Sequence, residues 1–231
     1  MRDYDLVLFD LDGTLIEFHH DYLFEQTHRI LGEIGHPPVH RTVLDDCFSD
    51  FDYFRFFESQ DRDPLVGKFW ELFDWNSFPE PAPFAESERV LSELCQHGYQ
   101  VALVTSRFVP EAELRDKLIP TGFLDHFSYV KPRPGDHIHW TDKRHSIVEV
   151  CEKLGVSPAR AVMVGDIPPD ITSAKDVGVG KTVAVLSGGI RENILRQADP
   201  CHIVPGVASL REILNLTTAN RTAANRGGAR G

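Results

Sequence analysis

This sequence predicts an α/β fold, with a doubly wound parallel sheet interrupted by a helical insert. Three observations lead there: short unbroken apolar runs, amphipathic helical segments between them, and one long aromatic-rich stretch with neither pattern. Unbroken runs suit parallel strands, because helices cover both faces of such a sheet and leave no polar face. The runs are 6–9 (LVLF), 101–104 (VALV), 161–164 (AVMV), 183–186 (VAVL) and the shorter pair Ile203 and Val204.

The first run opens the core and ends on Asp10. Residues 16–84 then break the alternation, with ten aromatic side chains from Phe48 to Trp75 and no convincing strand. Helices are expected over 20–34, 39–57 and 64–73, and the EPAPF segment at 80–84 reads as the return hinge. The expected division is a core of 1–15 and 85–216 and a helical cap of 16–84; the alternative is that these helices simply pack on the sheet. Past the insert, 86–97 carries Val90, Leu91 and Leu94 at helical spacing and stops at Gly98. Residues 146–154 repeat that pattern with Ile147, Val150, Cys151 and Leu154 ahead of Gly155. The tail 217–231 (TTANRTAANRGGARG) has no apolar periodicity and is expected to be disordered.

Bulk properties narrow the function. A chain of 231 residues can hold a core domain with a smaller insert, and 42% hydrophobic with 26% charged residues is ordinary for a globular enzyme. A formal charge of −11 argues against nucleic acid or an anionic membrane as the main partner, so an anionic substrate would need local cations. Cys47, Cys95, Cys151 and Cys201 are scattered without a CxxC pair, so no metal site follows from them, and Cys95 and Cys151, at helix-like apolar positions, read as buried thiols. No secretory signal and no apolar run of membrane-spanning length is evident, which points to a cytoplasmic location.

Candidate chemistry gathers at strand ends, where open α/β sheets place their ligands. Asp10 and Asp12 are close enough to repel, which favours a cation between them or a shared proton; a plain Asp-Gly turn is the alternative. A second strand ends in VMVGDIPPD, bringing Asp166 and possibly Asp170 to the same edge. Such a set of oxygen ligands suits a hard divalent ion, magnesium above all. Thr105 ends VALVT and could bond a phosphoryl oxygen or cap a helix.

The set DLDGTL, VTS, a lysine before a helix and GDIPPD, in that order from Asp10 to Asp170, resembles the haloacid dehalogenase superfamily in its phosphatase branch. The insert after the first motif resembles that family's first cap class, and the stretch TVAVLSGG…ADPCHIVPGVASLREIL resembles phosphoglycolate-phosphatase-like members. The resemblance implies a Rossmann-like core and a magnesium-dependent phosphatase acting on a small phosphorylated metabolite as monomer or homodimer. It implies Asp10 as the nucleophile that becomes an aspartyl-phosphate, and Asp12 as the group that protonates the leaving oxygen and then deprotonates water. Magnesium would be held by the Asp10 carboxylate, the Asp12 backbone carbonyl and Asp166, with Asp170 near. Thr105 and a lysine would hold the transferring oxygens. Lys143, opening the helix that ends in KLGV, is favoured over Lys131, which is expected in a Pro/Gly-rich loop at YVKPRP.

Rivals stay in view. A phosphomutase, nucleotidase or pyrophosphatase of the same superfamily shares these motifs. A receiver-like signalling domain also uses Asp, Thr and Lys, but in a shorter chain with the phosphorylated Asp on its third strand, and a catalytically silent phosphate-binding protein would not need the intact acid set. His19, His20, His137, His139 and His145 raise a transition-metal site, against which solvated loop histidines are the simpler account. Arg41, Arg55 and Lys68 are candidates to reach substrate from the cap.

Overall fold

The computed structural model describes residues 2–57, 62–74, 77, 79, 82–133 and 141–216. The expectations for the tail, for His137 and His139, for Trp75 and for Glu80 and Pro81 of the return segment lie outside the described residues.

Six strands form one parallel sheet: β1 (Leu6–Phe9), β2 (Gln100–Val104), β3 (Tyr129–Lys131), β4 (Ala161–Gly165), β5 (Lys181–Val185) and β6 (His202–Val204). Their order is β3-β2-β1-β4-β5-β6, the doubly wound arrangement with β1 at its centre. Alternation along each strand sends successive side chains to opposite faces. Val7, Phe9, Val101 and Leu103 pack with Val90, Leu91 and Leu94 of the helix α4 (Ser87–Gln96) on one face. Leu6, Leu8, Ala102 and Met163 pack on the other with Ile147, Val150 and Cys151 of the helix α6 (Arg144–Leu154). Gly155 closes that helix in the left-handed conformation (φ 67°), which a glycine adopts without a Cβ penalty.

Two sequence expectations are corrected. Lys131 does not sit in a loop; it ends β3, a three-residue edge strand paired to β2. The helix expected over 39–57 stops at Ser49: α2 covers Arg41–Ser49, Asp50 caps it, and Phe51 turns the chain at φ 54°.

The helices α1 (His20–Glu33), α2 and α3 (Arg62–Leu72) lie between β1 and β2. They bury an apolar cluster of their own, including Phe24, Ile30, Leu44, Phe54, Phe69 and Trp70. The segments leading in and out run side by side, Glu17 N donating to Ala82 O at 2.8 Å and Phe84 N to Leu15 O at 3.1 Å. Against the sheet, Phe48 and Phe51 touch the cluster around Ile171, Ile190 and Leu195. Arg191, in the loop after β5, donates to Asp46 and Asp50 while its backbone N reaches Ser49 O at 3.0 Å. Cys151 is buried as expected and Cys95 only half-buried, while Cys47 is buried and Cys201 exposed. Among the described residues, no helix is long and apolar enough to cross a membrane.

Candidate active site

Register puts the acids together. Phe9 pairs with Leu103 of β2 and Val164 of β4, so the residues just beyond these strands share the carboxyl edge of the sheet. Asp10 N is fixed by Val164 O at 2.9 Å and Thr105 N by Lys131 O at 3.1 Å, which leaves Asp10, Thr105 and Asp166 facing one cavity.

Asp10, Asp166 and Asp170 are all buried, and one carboxylate oxygen from each lies within 4.8 Å of the others. Lys143, only 3% exposed, sits at the cap of α6 and places its ammonium 2.5 Å from Asp10 Oδ1 and 2.5 Å from Asp170 Oδ1. The contact to Asp10 is a directed hydrogen bond; the one to Asp170 Oδ1 is a close ion pair outside hydrogen-bonding geometry. Two buried carboxylates therefore share one ammonium, with the Asp166 carboxylate beside them. Burial pushes the Asp10 carboxyl up to about 6 against the pull of Lys143, with Asp170 and Asp12 adding to the rise. Burial, helped by Asp10 and Asp170, also holds Asp166 well above the usual carboxylate range. Burial disfavours the Lys143 ammonium, but the facing carboxylates outweigh it and keep the lysine above its ordinary value.

The strand-end turns hold these groups by close approach. Thr14 Oγ1 donates to Asp166 Oδ1 at 2.9 Å. A Cβ at Gly13, whose φ of 80° already favours glycine, would overlap the Asp166 carboxylate, and so would one at Gly188. Asp170 sits in the first turn of the helix α7 (Pro168–Asp176) and accepts from Ile167 N at 3.2 Å.

Asp12 points elsewhere. Both its oxygens accept from Arg107, at 2.8 Å from Nε and 2.7 Å from Nη2, in a bidentate pair whose guanidinium is 9% exposed. Arg107 is absent from the residues singled out in the sequence, although it stands two places after Thr105 at a strand end. Thr105 Oγ1 accepts from Arg107 N at 3.2 Å, so the turn role and the site position coexist. Ser106 Oγ is buried beside them without a hydrogen-bond partner among the described residues.

The remaining candidates separate from the cluster. Lys131 reaches Glu149 Oε2 at 2.5 Å on the edge strand. Arg41 pairs with Asp21 and Asp45, Arg55 with Asp50, and Lys68 with Glu71; contrary to expectation none of the three lines the cavity. His20 packs against Phe48, with ring centroids 4.3 Å apart, and burial lowers its pKa; His145 is exposed. Among the described residues no histidine joins the acid cluster.

The donor set suits a hard divalent cation: buried carboxylate oxygens only, converging, with one ammonium to offset them.

Known proteins resemble this chain in sequence and in fold. Over 202 residues, 84% of this chain and 89% of the relative, the sequence is 31% identical to a PpaX protein of Clostridium perfringens. It is 23% identical over 212 residues to a phosphoglycolate phosphatase of Mesorhizobium japonicum, covering 86% of this chain and 89% of that one. A crystal structure of a predicted phosphatase from Clostridium acetobutylicum superposes with a TM-score of 0.72 at 22% identity, covering 92% of this chain and 99% of the other, which shows the shared fold. Residues 4–178 match the sequence pattern of the haloacid dehalogenase-like hydrolases, and the chain belongs to that family.

Proposed function

We propose that this hydrolase is a magnesium-dependent phosphatase that cleaves a small phosphate monoester through an aspartyl-phosphate on Asp10. The observation carrying this reading is Lys143 held 2.5 Å from Asp10 Oδ1 inside a buried carboxylate cluster that opens on a cavity. A buried carboxylate with one oxygen fixed by an ammonium has a free oxygen with which to attack phosphorus. Relatives named as pyrophosphatase and phosphoglycolate phosphatase support phosphoryl chemistry.

In this mechanism Asp10 forms an O–P bond as the ester P–O bond breaks, and the leaving alcohol takes a proton from Asp12. Asp12 then accepts a proton from water, whose oxygen attacks phosphorus, releasing inorganic phosphate and restoring the Asp10 carboxylate. Its bidentate bond to Arg107 must open on one side before either transfer, so Arg107 positions Asp12 between steps. Lys143 neutralises the transferring group, and Thr105 and Ser106 offer hydroxyls at the same edge. Magnesium, held by Asp10, Asp166 and the Asp12 carbonyl with Asp170 beside them, would neutralise phosphate charge so that one anion can approach another. Helices α1–α3 would act as a cap that excludes water from the site.

The test is direct trapping. The protein is mixed with p-nitrophenyl phosphate and Mg²⁺, quenched in acid and digested. The peptide containing Asp10 should gain one phosphoryl group, and Asp10→Asn should gain none while losing turnover by several orders of magnitude. Turnover that survives exhaustive chelation, or persists in Asp10→Asn, refutes the proposal.

A further inference from the structure

The cavity over Asp10 encloses about 330 Å³. Its floor is the acid edge of the sheet; its walls are mostly aromatic and come largely from the insert: Phe48, Phe51, Tyr53, Phe54, Trp70 and Phe73. Val109, Ile167 and Ile190 continue the apolar surface on the core side. The rings brace one another, with Phe54 and Trp70 at 5.6 Å and Trp70 and Phe73 at 5.5 Å between centroids in edge-on or tilted contact.

Among the described residues, every lysine or arginine lining this cavity faces a carboxylate. Arg107 is paired to Asp12 at 2.7 Å, Lys117 to Glu113 at 3.1 Å, and Arg62 to Asp52. Lys143 below them is shared by Asp10 and Asp170. A substrate with a second anionic group, whether a carboxylate or another phosphate, would have to rely on neutral hydroxyls such as Ser106, leave that charge against aromatic carbon or break an existing pair, at substantial cost. An uncharged apolar group has the opposite balance, because each ring face and methylene it buries leaves water. Space is sufficient: an apolar cavity of roughly 150 Å³ holds a benzene ring.

We propose that this site takes the phosphate monoester of an uncharged alcohol bearing an apolar ring, the phosphoryl group on Asp10 and the ring among Phe48, Phe54 and Trp70. The proposal rests on the phosphatase reading above and narrows its substrate class, away from the doubly anionic compounds in the relatives' names. Hydrolysis is otherwise unchanged: water supplies the oxygen gained by phosphate, and the ring-bearing alcohol leaves with one proton.

The experiment compares kcat/KM, with Mg²⁺, for ethyl, butyl, hexyl and 3-phenylpropyl phosphates, whose alcohols leave with similar ease. Phosphoglycolate, inorganic pyrophosphate and p-nitrophenyl phosphate complete the panel. The series should climb about threefold per methylene at first, reach at least roughly thirtyfold at 3-phenylpropyl phosphate, and place that ester above phosphoglycolate and pyrophosphate. Trp70→Ala should compress the 3-phenylpropyl to ethyl ratio about tenfold, and Phe48→Ala, at a half-buried site, gives the same readout if Trp70→Ala fails to fold. A flat series, a ratio unmoved in Phe48→Ala, or a preference for phosphoglycolate or pyrophosphate overturns the apolar subsite while leaving the phosphatase intact. Hydrolysis of none of these compounds, p-nitrophenyl phosphate included, overturns the phosphatase itself.

Discussion

Removing the Lys143 ammonium gives the sharpest test of the acid cluster. Its nitrogen lies 2.5 Å from two carboxylates that are almost fully buried, so Lys143→Ala leaves Asp10, Asp166 and Asp170 with no positive partner among them. Breaking a buried pair by deleting one member costs about 3–5 kcal/mol, and that is the expected loss of unfolding free energy near pH 8 without divalent metal. The pH dependence follows from the raised carboxyls. Asp10 titrates at about 6 in the fold and Asp166 well above its ordinary 3.8, so between those values and the unfolded ones the native chain holds more protons. Stability contributed by the cluster is therefore greatest at low pH and falls as pH rises through that window. Without Lys143 the fall should be steeper, so the deficit is largest near pH 8 and shrinks toward pH 4.5, and saturating Mg²⁺ should recover part of it. Urea unfolding at several pH values, with and without Mg²⁺, measures all of this. Activity should fall at least about a hundredfold, near 3 kcal/mol of transition-state stabilisation. Lys131→Ala, which breaks only the edge-strand pair with Glu149, should cost under about tenfold. Equal stability of Lys143→Ala and wild type near pH 8 in chelator, or the reverse ranking of the two lysines in activity, refutes the assignment.

Three further outcomes are expected. Asp166→Asn should make the metal-free protein more stable near pH 8, because it deletes a buried charge that burial and two neighbouring acids oppose; an unchanged or lower urea midpoint would contradict the charge crowding. Arg107→Lys keeps the charge but cannot grip both Asp12 oxygens, and should lower kcat about tenfold with a smaller change in KM; an unaltered kcat would show that the pair does not position Asp12. Arg191→Ala removes the contacts from the β5 loop to Asp46 and Asp50, which are partly exposed, so stability should fall by less than about 1 kcal/mol while KM rises severalfold; an unaltered KM would show that these contacts do not hold the insert in place.

Much of the core was legible because parallel strands buried on both faces must be continuously apolar, and four such runs became β1, β2, β4 and β5. β3 escaped because an edge strand of three residues, with half-buried Tyr129 and Lys131 around Val130, has no run to detect. The acids were legible from their places after strands, since register alone carries Asp10 and Asp166 to one edge. Arg107 was not: its partner Asp12 is 95 residues away, and no local periodicity encodes such a pair. Arg41, Arg55 and Lys68 of the insert misled for a different reason: acids on the insert's own surface satisfy them and hold them away from the cavity. The aromatic excess of the insert did carry information, because those rings build both its private core and the cavity wall.

The ladder that fixes Asp10 N to Val164 O and Thr105 N to Lys131 O belongs to the central sheet, so these amides should be among the slowest to exchange. Those amides should meet solvent deuterium only when the central sheet opens, whereas the amides of α1 and α3 should exchange earlier if the smaller aromatic cluster loosens by itself. If the insert and the sheet loosen at different temperatures, the groups proposed to break bonds and those proposed to select substrate would part company on heating. On warming, the chain should pass through an interval in which phosphate esters are still cleaved but ring-bearing and plain alcohols are no longer told apart.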